Sequence, residues 1–178
     1  GTIDVNARAQ VDATKALVTF ATIPGTPSAD ALLKAHATAT GLEGGAGNNF
    51  LRNSGGINIR ATGVSNVSGG AEATVIGSTR AKGLSTANAT ASGIHVENGD
   101  NDVANTSIID VLGTGDAVTV NSSTSGILLS TGKAEGAARS TVDAFGIAAG
   151  GGTNTIENTL DLRIKADASA YANVAPRS

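Results

Sequence analysis

The sequence predicts an all-β fold, a β-solenoid built like a parallel β-helix, and three observations predict it. The chain of 178 residues repeats itself every 52–54 residues. Within each repeat, small or apolar residues alternate with polar ones, the period of a strand with one buried face. The third observation is composition: 31 Ala, 24 Gly and 21 Thr against 2 % aromatic residues, with no Cys, Met or Trp. Side chains this small fill an interior only where backbones approach closely, as they do in a stack of β-coils. An apolar fraction of 40 % and a mean hydropathy of +0.06 separate the chain from disordered sequences, which are apolar-poor and charge-rich.

The repeat is read from three segments that align without gaps: GLEGGAGNNFLRNSGGINIRA from Gly41, GIHVENGDNDVANTSIIDVLG from Gly93 and GIAAGGGTNTIENTLDLRIKA from Gly146. In chain order, Ile3, Val5, Ala7, Ala9, Val11 and Ala13 alternate with Asp4, Asn6, Arg8, Gln10 and Asp12, and this is a strand. Residues 27–36 (PSADALLKAH) are the best local helix candidate, with Ser28 or Asp30 placed to cap it. Elsewhere Ala recurs at i, i+2 and i+4, which would scatter it around a helix, so strands are preferred. Ala35, Ala37 and Ala39 match Ala87, Ala89 and Ala91, then Ser140, Val142 and Ala144. A glycine-rich turn follows, with Asn49, Asn101 and Asn154 in equivalent places. Asn53, Asn105 and Asn158 then precede an apolar pair: Ile57 and Ile59, Ile109 and Val111, Leu162 and Ile164. Ile3 and Val5 enter the same register, and Leu162, Ile164, Ala166 and Ala168 repeat the opening strand pattern.

The chain is therefore expected to form a single repeat array over 1–178, with repeats at about 3–56, 57–108 and 109–161 and a partial fourth at 162–178. Coils of about 17–18 residues would give three per repeat and coils of 26 would give two; spacing alone leaves both open. Ser68-Gly69-Gly70 and Gly150-Gly151-Gly152 are read as turns. Such clusters also suit hairpins, so an antiparallel β-sandwich is the alternative fold.

Bulk properties exclude several function classes. A net charge of −3 with scattered Lys and Arg leaves no basic footprint for nucleic acid. No apolar run approaches the roughly 18 residues of a membrane span. Without Cys there is no disulfide framework or thiolate site. The chain opens at Gly1 without a signal-peptide pattern and is expected to be a processed chain or an excised piece. Equivalent polar positions of the first strand stack charges of both signs, Asp4, Asn58, Asp110, Arg163 and Asn6, Arg60, Leu112, Lys165, as suits a solvated face.

Few residues are candidates for chemistry. The turn at residues 44–52 (GGAGNNFLR) matches a glycine-rich calcium-binding nonapeptide, but Asn49, Asn101 and Asn154 stand where that pattern has Asp. An amide brings no charge to a cation that prefers several oxygen ligands. Calcium, if bound, would go first to Asp100, Asn101 and Asp102, beside Glu97; otherwise no cofactor is expected. Asn53, Asn105 and Asn158 are expected to form a structural ladder, although Asn105 also begins a glycan-acceptor triplet, as do Asn66, Asn88 and Asn121. His36 and His95 lie in different registers with no Cys beside them, so a zinc site or triad is not expected and both are read as surface residues. Residues 126–133 (GILLSTGK) fail the phosphate-loop spacing. Thr38, Thr40, Thr90 and Thr141 hint at an ice-binding array, which Asp143 and Phe145 interrupt.

The pattern G-x-N-x-I-x-N-x-G-x-I-x-V-x-A-x-A resembles repeats of large bacterial exported surface proteins, namely autotransporter-like and haemolysin-type adhesins and filamentous surface proteins. Gly47, Asn49, Leu51, Asn53, Gly55, Ile57 and Ile59 carry the resemblance, with counterparts near Asn101 and Asn154. It implies a β-rich, extracellular or surface-attached stalk, adhesin or fibre component. The expectation is a non-enzymatic building block joining other copies or flanking repeats head to tail through exposed strands. Ile3, Val5 and Ala7 lie in one such strand and Leu162, Ile164 and Ala166 in the other. The alternative is a module that binds glycans or surfaces through loops such as residues 22–28.

Overall fold

The computed structural model describes residues 1–16, 20, 21, 28–73, 77–125 and 130–177. Among the described residues eleven strands run in the order β1 (Ile3–Ala16), β2 (Phe20–Ala21), β3 (Ser28–Gly44), β4 (Phe50–Asn53), β5 (Ile57–Ala73), β6 (Gly77–Val96), β7 (Asp102–Asn105), β8 (Ile109–Ser125), β9 (Ser130–Ala149), β10 (Thr155–Asn158) and β11 (Leu162–Arg177). They form three parallel sheets: a front sheet β1-β5-β8-β11 with β2 also on β5, a rear sheet β3-β6-β9, and a short end sheet β4-β7-β10. The chain is an all-β solenoid, and the antiparallel sandwich is overturned because every described pairing is parallel.

Register follows the repeat. Ile3 lies beside Ile57, Ile57 beside Ile109 and Ile109 beside Leu162. Each strand therefore stacks on the one a full repeat away, so a coil holds 52–54 residues. This corrects both shorter coil lengths. Ser68, Gly69 and Gly70, read as a turn, lie inside β5 and pair with Val120, Asn121 and Ser122 of β8. Backbone bonds to the coils above and below hold these residues extended, overriding their turn preference. The helix candidate also resolves as strand from Ser28 onward, because Ala29 and Ala35 alternate into the interior beside Ala81 and Ala87. Ladder pairing outweighs weak local helix propensity here.

The interior changes character across its width. Where the three sheets meet, Ile57, Ile59, Ile94, Val96, Val103, Ile109 and Val111 are fully buried. Further along, only Ala separates front from rear, with Ala61, Ala87, Ala89 and Ala91 buried. Beyond that Gly, Ser, Thr and Asn share the interior with Val67, Ala71, Ala81 and Ala117. There the sheets bond directly to each other: Ser85 Oγ donates to the Ser65 carbonyl, Thr119 Oγ1 to Ala137 O at 2.8 Å and Asn121 Nδ2 to Glu135 O at 2.6 Å. At Gly63 a Cβ would stand 2.5 Å from Asn88 O, so this position requires glycine. Small side chains set the thinness of the coil, and its thinness lets the long strands run without interruption.

Candidate functional site

Two asparagine ladders line the end sheet. In the turn after the rear strand, Asn49 Nδ2 donates to Asn101 Oδ1 at 2.8 Å and Asn101 Nδ2 donates to Asn154 Oδ1 at 2.7 Å. Each amide also ties its own turn, as Asn101 Nδ2 does through Glu97 O and Gly99 O, both at 3.0 Å. The turn closes through Gly47, Gly99 and Gly152, whose φ values of 103°, 147° and 115° favour glycine. In the second ladder Asn53 Nδ2 donates to Asn105 Oδ1 at 2.6 Å, and Asn105 Nδ2 to Asn158 Oδ1 at 2.7 Å. Both ladders donate in one direction, from the first coil towards the last. The stack thus has a polarity that the sequence did not reveal.

The calcium candidates are otherwise engaged. Asn101 is buried, and its Oδ1 accepts from Asn49 N and Nδ2. Asp100 Oδ1 accepts from Thr153 N at 2.8 Å. Asp102 forms a two-bonded ion pair with Arg52, both bonds 3.0 Å, and that guanidinium lies 4.1 Å from the centre of the Phe50 ring. An amide NH₂ occupies the centre of the carbonyl set that a cation would need. Among the described residues no group of three or more His, Cys, Asp or Glu is placed to hold a metal.

Other candidates are dispersed. His36 Nε2 lies 3.1 Å from Thr38 Oγ1, and His95 Nδ1 lies 4.0 Å from Glu43 Oε1. Thr38 and Thr90 share a rung with Asp143, and Thr40 shares one with Ser92 and Phe145. Of the glycan-acceptor triplets, Asn105 and Asn121 are buried and unreachable by a glycan in the folded chain. Residues 22–27 of the loop considered for glycan binding, and 126–129 of the rejected phosphate loop, lie outside the described residues. Among the described residues no helix is long and apolar enough to cross a membrane.

The strand edges hold the remaining candidates. β1 ends the front sheet on one side, with Ile3, Val5 and Ala7 half-buried against the core. β11 ends it on the other side. Its Leu162 and Ile164 are 40 % and 47 % exposed, although their rung partners Ile109 and Val111 are fully buried. The cause is topological: β11 opens a fourth coil, whereas the rear and end sheets stop at β9 and β10. Phe145, Ile156 and Leu160 are exposed on the same side of the stack. Sequence reading placed Phe145 on the outward threonine face but missed Ile156 and Leu160, although their place in the last full repeat was a usable signal.

The outer face of β9 is charged. Glu135 bonds to Lys133 Nζ at 2.5 Å and to Arg80 at 3.0 Å. The bond to Lys133 and then that to Arg80 hold its carboxyl well below its usual 4.5, at about 2.

The fold is a polar, small-residue β-solenoid in which, among the described residues, β1 and β11 are the outer strands of the front sheet. Comparison with known proteins finds no matching family model, no similar curated protein and no similar solved structure.

Proposed function

We propose that the chain is a non-enzymatic building block of an extracellular fibre or adhesin, joining other copies head to tail through β11 of one copy and β1 of the next. One observation carries this reading. When the front-sheet register is extended by one step, Leu162 meets Ile3, Ile164 meets Val5 and Ala166 meets Ala7 of the next copy. On the outer face Arg163 then lies beside Asp4, and Asp167 beside Arg8. Lys165 meets Asn6, Ser169 meets Gln10 and Tyr171 meets Asp12, so no outward rung from 163 to 171 opposes like charges. The registers being extended are those already formed by β1-β5 and β8-β11. Unpaired parallel edges present rows of free N–H and C=O groups, which favours such addition.

The extracellular placement rests on the absence of Cys, the repeat resemblance and a fold stabilised by backbone ladders. Negative-stain microscopy with sedimentation at rising concentration tests the proposal. Elongated particles that lengthen with concentration are expected. Uniform single-chain particles at high concentration would contradict it.

A further inference from the structure

We infer that the outer face of the rear sheet binds a linear acidic glycan, laid along β6 with a uronic-acid carboxylate held between Lys34 and Arg139. This is independent of head-to-tail joining, which uses the front sheet.

The relief of the face creates the site. Leu84, Thr86, Asn88 and Thr90 of β6, the middle strand, face outward and are half-buried. Lys34 and Arg139 rise on either side of Thr86, and His36 rises beside Asn88. Short side chains between longer ones leave a groove of about 470 Å³. Strand geometry makes it about 20 Å long from Leu84 to Thr90 and about 10 Å across from β3 to β9. Asp143, beside Thr90, lies at its far end.

The lining selects the occupant. Elsewhere on the surface Arg52, Arg80, Lys133, Arg163 and Lys165 each hold a carboxylate at 2.5–3.6 Å. Among the described residues Lys34 and Arg139 hold none, so two cations face each other across Thr86 without an anion between them. The planar fork of Arg139 suits a carboxylate, which it can bind through two bonds. Thr86, Asn88 and Thr90 carry groups that both donate and accept, as sugar hydroxyls require. Asp143 accepts from hydroxyls and repels a second anion, so the occupant carries its charges well apart. An added peptide strand would find no main-chain partners here, because the backbone of β6 is already paired on both sides. Nucleic acid is disfavoured as well, since the groove holds no aromatic ring on which bases could stack. The occupant is accordingly a glycan in which uronic acids alternate with neutral sugars, held by charge and hydrogen bonds.

The test titrates the full chain against three labelled hexasaccharides by fluorescence anisotropy. They are hyaluronan, whose uronic acids alternate with neutral sugars, a neutral chitin oligomer, and a densely sulfated heparin oligomer. Hyaluronan should bind saturably, with the chitin oligomer at least about tenfold weaker. Lys34→Ala and Arg139→Ala should each weaken hyaluronan binding about tenfold. Lys82→Ala, which removes an exposed cation of the same sheet outside the groove, should leave it unchanged. All three substitutions are at the surface, and circular dichroism checks that the fold is kept. Repeating the titration on the Asp4→Arg chain, whose head-to-tail joint is weakened, should give the same affinity. Absence of saturable binding, an equal loss with Lys82→Ala, or chitin binding as tight as hyaluronan would overturn the inference. Heparin binding as tight as hyaluronan would overturn the choice of a carboxylate, and an affinity lost with Asp4→Arg would make binding a property of the assembly and not of the groove.

Discussion

Asn53 and Asn105, 52 residues apart in sequence, are joined by a side-chain hydrogen bond of 2.6 Å in the interior of the stack. Asn105 passes the same bond on to Asn158 and is itself fully buried. A chain of amides polarised in one direction couples each coil to the next, and removing a middle member strands partners on both sides.

Asn105→Ala is therefore expected to cost about 3 kcal/mol, since Asn53 Nδ2, Asn158 Oδ1 and the Ser107 carbonyl all lose a partner. Asn158→Ala, at the exposed end, should cost about 1 kcal/mol. Urea unfolding of the two variants checks the contrast. Equal losses would show that the ladder bears no special strain at its centre.

Gly63→Val tests the closeness of the two sheets. The new Cβ would collide with the Asn88 carbonyl at 2.5 Å, and the strands on either side of β5 leave it little room to shift. A loss of at least about 2 kcal/mol is expected by thermal unfolding. The same change at Ala9, the edge residue of that rung, should cost much less.

Calcium dependence is addressed by a chelator and by one substitution. Addition of EDTA should leave Tm unchanged, because the amide of Asn101 sits between the turn carbonyls. Asn101→Asp removes those donated bonds and sets a carboxylate against carbonyl oxygens, and it should lower Tm by several degrees without metal. If 5 mM calcium (roughly the range for weak extracellular sites) raises the Tm of the unaltered chain, the structural reading of this turn fails.

Glu135 supplies a pH signature. Its carboxyl titrates at about 2 in the folded chain, below its usual 4.5, so the folded state holds the charged form more strongly than the unfolded one. The resulting stabilisation is present above about pH 4.5 and fades as pH falls towards 2. An NMR titration should find this carboxyl among the last to protonate, and Lys133→Ala should move its midpoint upward. A midpoint near 4.5 in the unaltered chain would contradict the geometry at Lys133 and Arg80.

Much of this architecture was legible in the sequence because each coil repeats its neighbour. The pairing of Ile57 with Ile109, and of Ala37 with Ala89, follows from alignment alone, as do the mixed outer rungs through Asp4 and Arg60. What the alignment could not supply was the path within a repeat. Ser68-Gly69-Gly70 has the composition of a turn, and only backbone pairing with the neighbouring coils makes extended strand the better state. Nor could periodicity show that the front sheet outruns the rear one, since that depends on where in the coil each strand lies. The exposed faces of Leu162 and Ile164 follow from this offset and not from their residue type. The ladder direction was likewise hidden, because it is set by which amide atom faces the next coil.

The central claim, a joint between β11 of one copy and β1 of the next, is tested most directly by sedimentation velocity on charge-reversed chains. Asp4→Arg opposes Arg163 across the joint and should shift assembly to about tenfold higher concentration. Combining it with Arg163→Asp restores an opposite pair and should restore assembly to the level of the unaltered chain. Identical sedimentation of all three chains at every concentration would contradict the account.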